Sequence, residues 1–145
     1  QNALQYINTK YILIIQHDLS FRKEFDINKI IEDMEKNKEL KHIRFNKRRN
    51  IKHKWDNNDL FGYVLKSKNY NYTRTGAWSD INHLTRTDYY KNIIMNECKD
   101  GTSMEWNFRD KINNKSDHEK YGTYLFGDTS NKRMINNLDG RRNKN

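Results

Sequence analysis

The feature that most constrains this chain is residues 11–18 (YILIIQHD), where an apolar run leads directly into a polar tip. A short, unbroken apolar run that ends on polar groups is typical of a strand buried on both faces of a sheet. We therefore predict a central strand over residues 11–16, with residues 12–15 nearly inaccessible. Because ligands of open parallel sheets bind outside the carboxyl ends of the strands, we expect chemistry at the tip, Gln16, His17 and Asp18.

The composition is unusual for a self-contained domain of this size. Of the 145 residues, 34% are hydrophobic, and the mean hydropathy is −1.22. The sequence also opens just ahead of its best core strand, so we expect a fragment of a larger domain whose N-terminal half is missing. Aromatic residues make up 12% of the chain, which disfavours general disorder.

The net charge of +9 leaves two interpretations of the surface open. A basic chain can bind nucleic acid or phosphorylated ligands. Alternatively, heavy use of Asn, Lys and Ile gives a lysine-rich surface without any such role. The basic residues are scattered except in two clusters, at residues 47–54 and 141–144.

The cysteine count and the hydropathy bear on the cellular location of the protein. The single Cys98 excludes an internal disulfide and a multi-cysteine zinc site, so a reducing compartment, and with it a cytoplasmic location, is the expectation. No apolar stretch approaches the roughly 20 residues that a membrane-spanning helix needs. We therefore expect no transmembrane segment.

The first half of the chain carries the pattern of a βαβ unit. Asp26 is a suitable N-cap for a helix from Ile27, and Ile27, Ile30, Ile31 and Met34 form one apolar stripe. The alternation over residues 40–46 then predicts a strand. Strand, helix and strand at this spacing are typical of a βαβ unit.

The second half is predicted with less regular patterns. We expect a short strand at residues 61–65, a strand over 76–84 running into a helix capped by Thr87, and a helix from Met104 capped by Ser103. Residues 121–126 are predicted as the last strand. The polar stretches 66–75 and 113–120 are predicted as loops.

Two polar groupings beyond the strand tip are candidates for chemistry. Trp78, Asp80, Asn82 and His83 lie in one stretch, where Trp78 could form a sugar-stacking platform; alternatively, the stretch only caps the next helix. Glu105 stands in the first turn of a predicted helix, where it either caps the helix or serves as a general base. Arg141 and Arg142 could clamp a diphosphate, or form a solvated end. His17 and Asp18 could hold a divalent cation, or simply end a strand.

In this order, the stretches resemble a glycosyltransferase of the GT-A fold, and most nearly the family-two-like enzymes of large DNA viruses and some bacteria. The matched stretches cover most of the chain: residues 10–21, 27–39, 41–47, 78–83, 101–108, 121–127 and 138–142. The resemblance implies an α/β class, with a partial GT-A, Rossmann-like mixed sheet flanked by helices. Residues 1–145 would form a single domain, the C-terminal part of the catalytic domain.

The resemblance also implies an activity. The enzyme would transfer a sugar from a nucleotide-sugar donor to a hydroxyl of a glycan, protein or lipid acceptor, assisted by Mn²⁺ or Mg²⁺. Asp18, supported by His17, would bind the metal, and Glu105 would be the base. Substrate contacts would come from the remaining candidates: Trp78, Asp80, Asn82, His83, Arg141 and Arg142.

The chain departs from the family pattern at two positions. Gln16 stands where the family's metal motif has its first acid, and Trp106 stands where many relatives have a second acid in the acidic helix. Two rival interpretations therefore remain. One is a non-catalytic remnant of the fold. The other is a basic nucleic-acid-binding module built on residues 47–54 with Tyr70, Tyr72 and Trp78.

Overall fold

The computed structural model describes residues 3–52, 54, 60–99, 101–108 and 110–138. It is a mixed α/β structure with a six-stranded sheet in the order β1-β6-β3-β7-β5-β4, beside a two-stranded sheet of β2 and β8. The strands are β1 Tyr11–Ile14, β2 Leu19–Phe21, β3 His42–Arg44, β4 Val64–Lys66, β5 Asn71–Arg74, β6 His83–Arg86, β7 Thr123–Phe126 and β8 Ile135–Asn137. The expected α/β class and a mixed sheet are thus confirmed.

The helices are short except for the first. A 3-10 turn at Ala3–Tyr6 precedes β1, and α1 spans Ile27–Lys36. One continuous helical segment then comprises α2 Thr87–Tyr89, a π-helical turn Tyr90–Ile94 and α3 Met95–Glu97. The last two helices are α4 Met104–Phe108 and α5 Lys115–Tyr121.

The predicted first helix is confirmed together with its cap. The Asp26 carboxylate accepts a hydrogen bond from the Asn28 N–H at 2.9 Å, which satisfies one of the donors left over at the helix start. Ile30 and Met34 are fully buried, and Ile27 and Ile31 pack against the same core. The apolar stripe therefore faces the sheet as its spacing predicts.

The predicted central position of β1 in the sheet is wrong. β1 pairs only with β6 and lies at the edge of the sheet in the described part of the chain, and its residues are half-buried. Ile15 is 55% exposed. The strands that are buried along their whole length are instead the inner strands β6, β3 and β7. An apolar run shows that side chains prefer burial, but the pairing partners available decide whether a strand is central.

Residues 66–75 are not the predicted polar loop, since they contain β5. This strand is polar in sequence, yet its side chains find partners inside the protein. The Tyr72 hydroxyl donates to the buried Asp33 carboxylate at 2.9 Å, and the Thr73 hydroxyl donates to the Gly127 carbonyl at 2.8 Å. Polar residues can build an inner strand when every buried group is satisfied in this way.

Residues 113–120 are also not a loop, because α5 starts at Lys115. The Asn114 side chain accepts from the Asp117 N–H at 3.0 Å, and the Asp117 carboxylate accepts from the Asn113 N–H at 3.1 Å. This reciprocal arrangement caps the helix start as a capping box does. The predicted last strand, β7, is followed by β8, which pairs with β2.

Two hydrophobic clusters form the core. The larger packs α1 and β8 against the sheet, through fully buried residues such as Ile43, Phe45 and Tyr124. The smaller gathers Trp78 and residues of the later helices, including Tyr89, Ile94 and Phe108. The loop that carries Trp78 therefore lies between the sheet and α4, and this position sets up the candidate site.

Candidate functional site

One edge of the six-stranded sheet collects most of the polar candidates. β3 and β7 are parallel, and β1 runs in the same direction because both β1 and β3 are antiparallel to β6. The carboxyl ends of β1, β3 and β7 therefore meet the start of β6 at this edge. It is the edge at which α/β sheets bind ligands.

A cleft of about 510 Å³ opens at this edge. We call it the carboxylate cleft. One wall is formed by the loop before β6 and by α4, and the other by the end of β3 and the loop that follows it. The lining residues are Ala77, Trp78, Ser79, Ile81, Glu105 and Trp106 on the first wall, and Arg44, Asn46, Lys47 and Arg48 on the second.

Glu105 lines this cleft and is hydrogen-bonded to the carboxyl group of Asp80. Burial, together with the negative charge of Glu105, raises the pKa of Asp80 above the usual range for an aspartic acid. The hydroxyl of Ser79 donates a short hydrogen bond to Glu105 and so orients it. Two neighbouring carboxyl groups with one held protonated to higher pH are suited to taking up and giving back a proton.

Gln16 ties this pair to the end of β1. Its side-chain amide donates to the Asp80 carbonyl at 3.3 Å, and the interaction of the Gln16 side chain with the Asp80 carboxyl group partly opposes the rise in that group's pKa. The position that lacks the expected first acid is thus adjacent to another acid. The sequence alone does not predict this contact, because Gln16 follows β1 whereas Asp80 lies in the loop before β6.

His17 and Asp18 lie in the turn between β1 and β2. His17 is exposed and Asp18 is half-buried, and the Asp18 carbonyl accepts from the Leu138 N–H at 2.7 Å. Among the described residues, no three His, Cys, Asp or Glu side chains come together as a metal site. One carboxylate and one imidazole fit a hard cation only in part, so a metal here would need ligand atoms from a substrate.

Trp78 does not offer the expected stacking face for a sugar. It is only 4% exposed, and its ring stacks on His42 with centroids 5.1 Å apart and an interplanar angle of 14°. Phe108 packs against the indole at 5.0 Å. The indole is therefore part of the core, although the residue also lines the cleft.

Asn82 and His83, which are expected to contact substrate, are both fully buried. Asn82 accepts from the Gln16 N–H at 2.9 Å and donates to the Leu19 carbonyl at 3.1 Å, so it holds the β1–β2 turn in place. The His83 ring bonds the Ile81 carbonyl through Nδ1 at 2.7 Å and packs on Tyr90. Both residues support the cleft from behind.

The structure brings forward Trp106, which the sequence reasoning passed over. Its side chain is 69% exposed and lines the carboxylate cleft beside Glu105. A signal was present, because Met104 and Phe108 define the apolar side of α4, and Trp106 lies two residues from each, on the opposite side. Arg141 and Arg142 lie outside the described residues.

The basic cluster at residues 47–54 is partly described, and it borders the cleft. Arg44, Asn46 and Arg48 line both the carboxylate cleft and a neighbouring cavity of about 360 Å³. The cations thus lie on the wall opposite Glu105. Of the aromatic residues in the nucleic-acid interpretation, Tyr72 and Trp78 are buried and offer no exposed face for stacking on bases.

Comparisons of this chain with protein-family models, with curated proteins and with solved structures find no match. The fold class therefore rests on the sheet and helices described above. In the described part of the chain, none of the helices has the length and apolar character needed to cross a membrane.

Proposed function

We propose that the chain is a glycosyltransferase, which moves a sugar from a nucleotide-sugar donor to a hydroxyl group of an acceptor. The observation that carries the proposal is the hydrogen-bonded pair of Asp80 and Glu105 at the ligand-binding edge of an α/β sheet. Resemblance of the ordered stretches to GT-A enzymes supplies the reaction class. The pair supplies the proton acceptor that such a reaction needs.

In this proposal Glu105 is the catalytic base. It lines the cleft, and the Ser79 hydroxyl fixes the direction of its carboxylate. The acceptor hydroxyl would lie within hydrogen-bonding distance of Glu105 and lose its proton as the new glycosidic bond forms. Asp80, whose pKa is raised by burial and by Glu105, would hold a proton beside the base and keep the two carboxyl groups from repelling each other.

The aromatic surface for the sugar would be Trp106. Its indole lies beside Glu105 at the cleft, and it is exposed where Trp78 is buried. Indole rings bind the apolar faces of sugar rings while their hydroxyl groups stay available for hydrogen bonds. Trp106 would therefore orient the acceptor hydroxyl toward the carboxylate.

The donor diphosphate would lie at the tip of β1. His17 and Asp18 would be the protein ligands of Mn²⁺ or Mg²⁺, and diphosphate oxygens and water would fill the other positions. Such an ion neutralises charge on a leaving diphosphate. The steps assigned to Glu105, Asp80 and Ser79 do not depend on it.

A titration followed by two-dimensional NMR tests donor binding directly. Nucleoside diphosphates are added to the ¹⁵N-labelled chain with Mg²⁺, and the shifted amides are mapped. The proposal expects shifts centred on the β1–β2 turn and the loop before β6, and their loss in the variant Asp18→Asn. Glu24→Gln, which replaces an exposed acid outside this edge, serves as the control. Shifts of equal size in Asp18→Asn and the parent would contradict the proposed donor site.

A non-catalytic remnant of the same fold is the second candidate. The observation that favours it is Gln16, whose amide takes the place of an acid and bonds the Asp80 carbonyl. Such a protein would still bind a sugar in the cleft but would not transfer it. Binding of a nucleotide sugar and an acceptor without formation of a glycosylated product would select this candidate.

A further inference from the structure

The cavity next to the carboxylate cleft is strongly basic. We call it the basic pocket; its volume is about 360 Å³, and its lining residues are Arg44, Asn46, Arg48, Arg49, Ile51, Lys52, Lys54 and Leu125. Five of these are cations, and none of the lining residues described is an acid. Such a concentration of one charge favours a ligand of the opposite charge.

The loop that forms this pocket is anchored to the sheet. Asn50 is 1% exposed, and its side-chain amide donates to the carbonyls of Phe126, Gly127 and Asp128 at 2.9, 3.2 and 3.0 Å. The Asn46 carbonyl accepts from the Met134 N–H at 2.9 Å. The backbone that carries Arg48 and Arg49 is therefore held at both ends of this short stretch. A solvated run of charge on a loose loop would need neither anchor.

The two arginines of this loop are available to an anion. Arg48 and Arg49 are exposed, and neither forms a salt bridge with a carboxylate in the described part of the chain. A guanidinium group can donate two parallel hydrogen bonds to a phosphate group, which a lysine cannot do. Two arginines in one pocket therefore favour phosphate over a single carboxylate.

The order of strands decides which substrate the pocket would serve. The donor diphosphate is assigned to the tip of β1, whereas the pocket lies over the ends of β3 and β7, which contribute Arg44 and Leu125. β1 and β7 are three strand spacings apart in the sheet, or about 14 Å at about 4.8 Å per spacing. The carboxylate cleft shares Arg44, Asn46 and Arg48 with the pocket, so a ligand can extend from one into the other.

We propose that the acceptor carries a phosphate group, and that this group binds in the basic pocket while a hydroxyl of the same molecule meets Glu105. The acceptor class is thus a phosphorylated sugar or a glycan that bears phosphate. This inference rests on the proposed function, because it takes Glu105 as the base and the β1 tip as the donor site. It adds the chemical class of the acceptor.

The test compares methyl glucoside 6-phosphate with methyl glucoside, each titrated into the whole chain and followed by NMR. The pocket variant is Arg48→Gln with Arg49→Gln, and the matched control is Lys29→Gln with Lys36→Gln, which removes the same charge from the exposed side of α1. The parent and the control should bind the phosphorylated glycoside about tenfold more tightly than the neutral one, or better. In the pocket variant the two glycosides should bind with about equal affinity, because the phosphate group has lost the guanidinium groups that bind it.

Other results would overturn the inference. Equal affinity for the two glycosides in the parent would do so, and so would an equal loss in the pocket variant and the control, since that shows an effect of net charge alone. A nucleoside diphosphate measured on the same variants should bind unchanged; if its affinity fell with that of the phosphorylated glycoside, the pocket would belong to the donor. If a single-stranded oligonucleotide bound more tightly than the phosphorylated glycoside, with an affinity that falls steeply with salt, the loop would be a nucleic-acid-binding site instead.

The same measurements separate this inference from the proposed function. If the nucleoside diphosphate binds at the β1 tip but the phosphorylated glycoside shows no preference, the acceptor class is wrong and the glycosyltransferase proposal stands. If no nucleoside diphosphate binds, the proposed function fails, and the inference about its acceptor fails with it.

Discussion

Asp80 and Glu105 share a hydrogen bond between their carboxyl groups, although one belongs to the loop before β6 and the other to helix α4. The contact joins the loop before β6 to α4, and it places Asp80 beside Glu105, which lines the carboxylate cleft. Two carboxylates that are close enough to share a hydrogen bond repel each other when both are ionised. A proton on Asp80, whose pKa is raised by burial and by Glu105, would remove this repulsion, which is the role that the proposed function gives it.

The first prediction contrasts two tryptophans. Trp78→Ala should lower the free energy of unfolding by about 3–5 kcal/mol, because it removes a buried ring and leaves a cavity. Trp106→Ala should change stability by less than about 0.5 kcal/mol, since its ring is mostly exposed. Urea unfolding measures both. For acceptor binding we expect a loss in Trp106→Ala, and an unchanged affinity in that variant would exclude Trp106 as the sugar platform.

The second prediction tests the corrected strand order. Ile43→Asp should prevent folding, because it places an unpaired charge in a fully buried strand at a cost of several kcal/mol, comparable to the stability of a domain. Ile15→Asp should leave a folded protein, since Ile15 is exposed just beyond the edge strand. Circular dichroism and solubility distinguish the two. An unfolded Ile15→Asp variant would contradict the edge position and indicate that the apolar run is a central strand.

The contrast between these two residues shows what local pattern can and cannot predict. The cap at Asp26 and the stripe through Ile30 and Met34 depend on neighbours within a few residues, and both follow from the sequence. Whether residues 11–15 lie inside the sheet or at its edge depends on which strands pair with them. The sequence of one stretch alone does not contain the information on that pairing. β5 is not predicted for the same reason. The Tyr72 hydroxyl of this strand donates to Asp33, which is distant in sequence.

The candidate site was predicted only in part. Glu105 and Asp80 were named separately from their places in two motifs, but their contact depends on how α4 packs against the loop before β6. The sequence predicts functional roles for Trp78 and His83 because one is aromatic, the other is titratable, and both lie near other polar groups. Both satisfy the ordinary requirements of a core instead, by stacking and by bonding a backbone carbonyl.

The third prediction concerns stability in acid. Burial, together with the smaller effect of the charge of Arg44, lowers the pKa of His83 to about 4, although the hydrogen bond to the Ile81 carbonyl opposes the shift. A histidine with a lowered pKa stabilises the fold above its unfolded pKa of 6.5, and this stability is lost as the pH falls toward 4. The pKa of the adjacent His42 is also lowered by burial, so it acts in the same direction.

Urea unfolding at pH 7, 6, 5 and 4 measures this effect. A single histidine shifted in this way contributes on the order of 3 kcal/mol across the range. The free energy of unfolding should fall as the pH is lowered below about 6.5. The variant His83→Phe cannot gain a proton at this position and should show a shallower fall. If its profile is as steep as that of the parent, His83 is not the group responsible.

The fourth prediction concerns the metal. Because only Asp18 and His17 are assigned as protein ligands, Mn²⁺ should bind weakly to the chain alone and more tightly once a nucleoside diphosphate is present. The two ligands should then raise each other's affinity by the same factor. Gln16→Asp should strengthen Mn²⁺ binding, since it adds a second carboxylate at the strand tip that carries Asp18.

Calorimetric titration with and without nucleoside diphosphate separates the possibilities. Asp18→Asn should remove the binding that depends on nucleotide, whereas Asp110→Asn, an exposed acid in the loop after α4, should retain it. Binding of Mn²⁺ and nucleotide to Asp18→Asn as strong as to the parent would show that the strand tip is not the metal site.

The central claim, that Glu105 in the carboxylate cleft is the base for glycosyl transfer, is tested most directly by turnover. A panel of nucleotide sugars is incubated with the chain and phosphorylated or neutral glycoside acceptors, and the glycosylated product is measured by mass spectrometry. The account predicts product with the parent and a fall of about 10²–10⁴-fold in Glu105→Gln, since that is the usual contribution of a positioned base. Glu119→Gln, an exposed acid on α5, should keep full activity. Transfer by Glu105→Gln at the parent rate, or no transfer by the parent with any donor it binds, would contradict the claim.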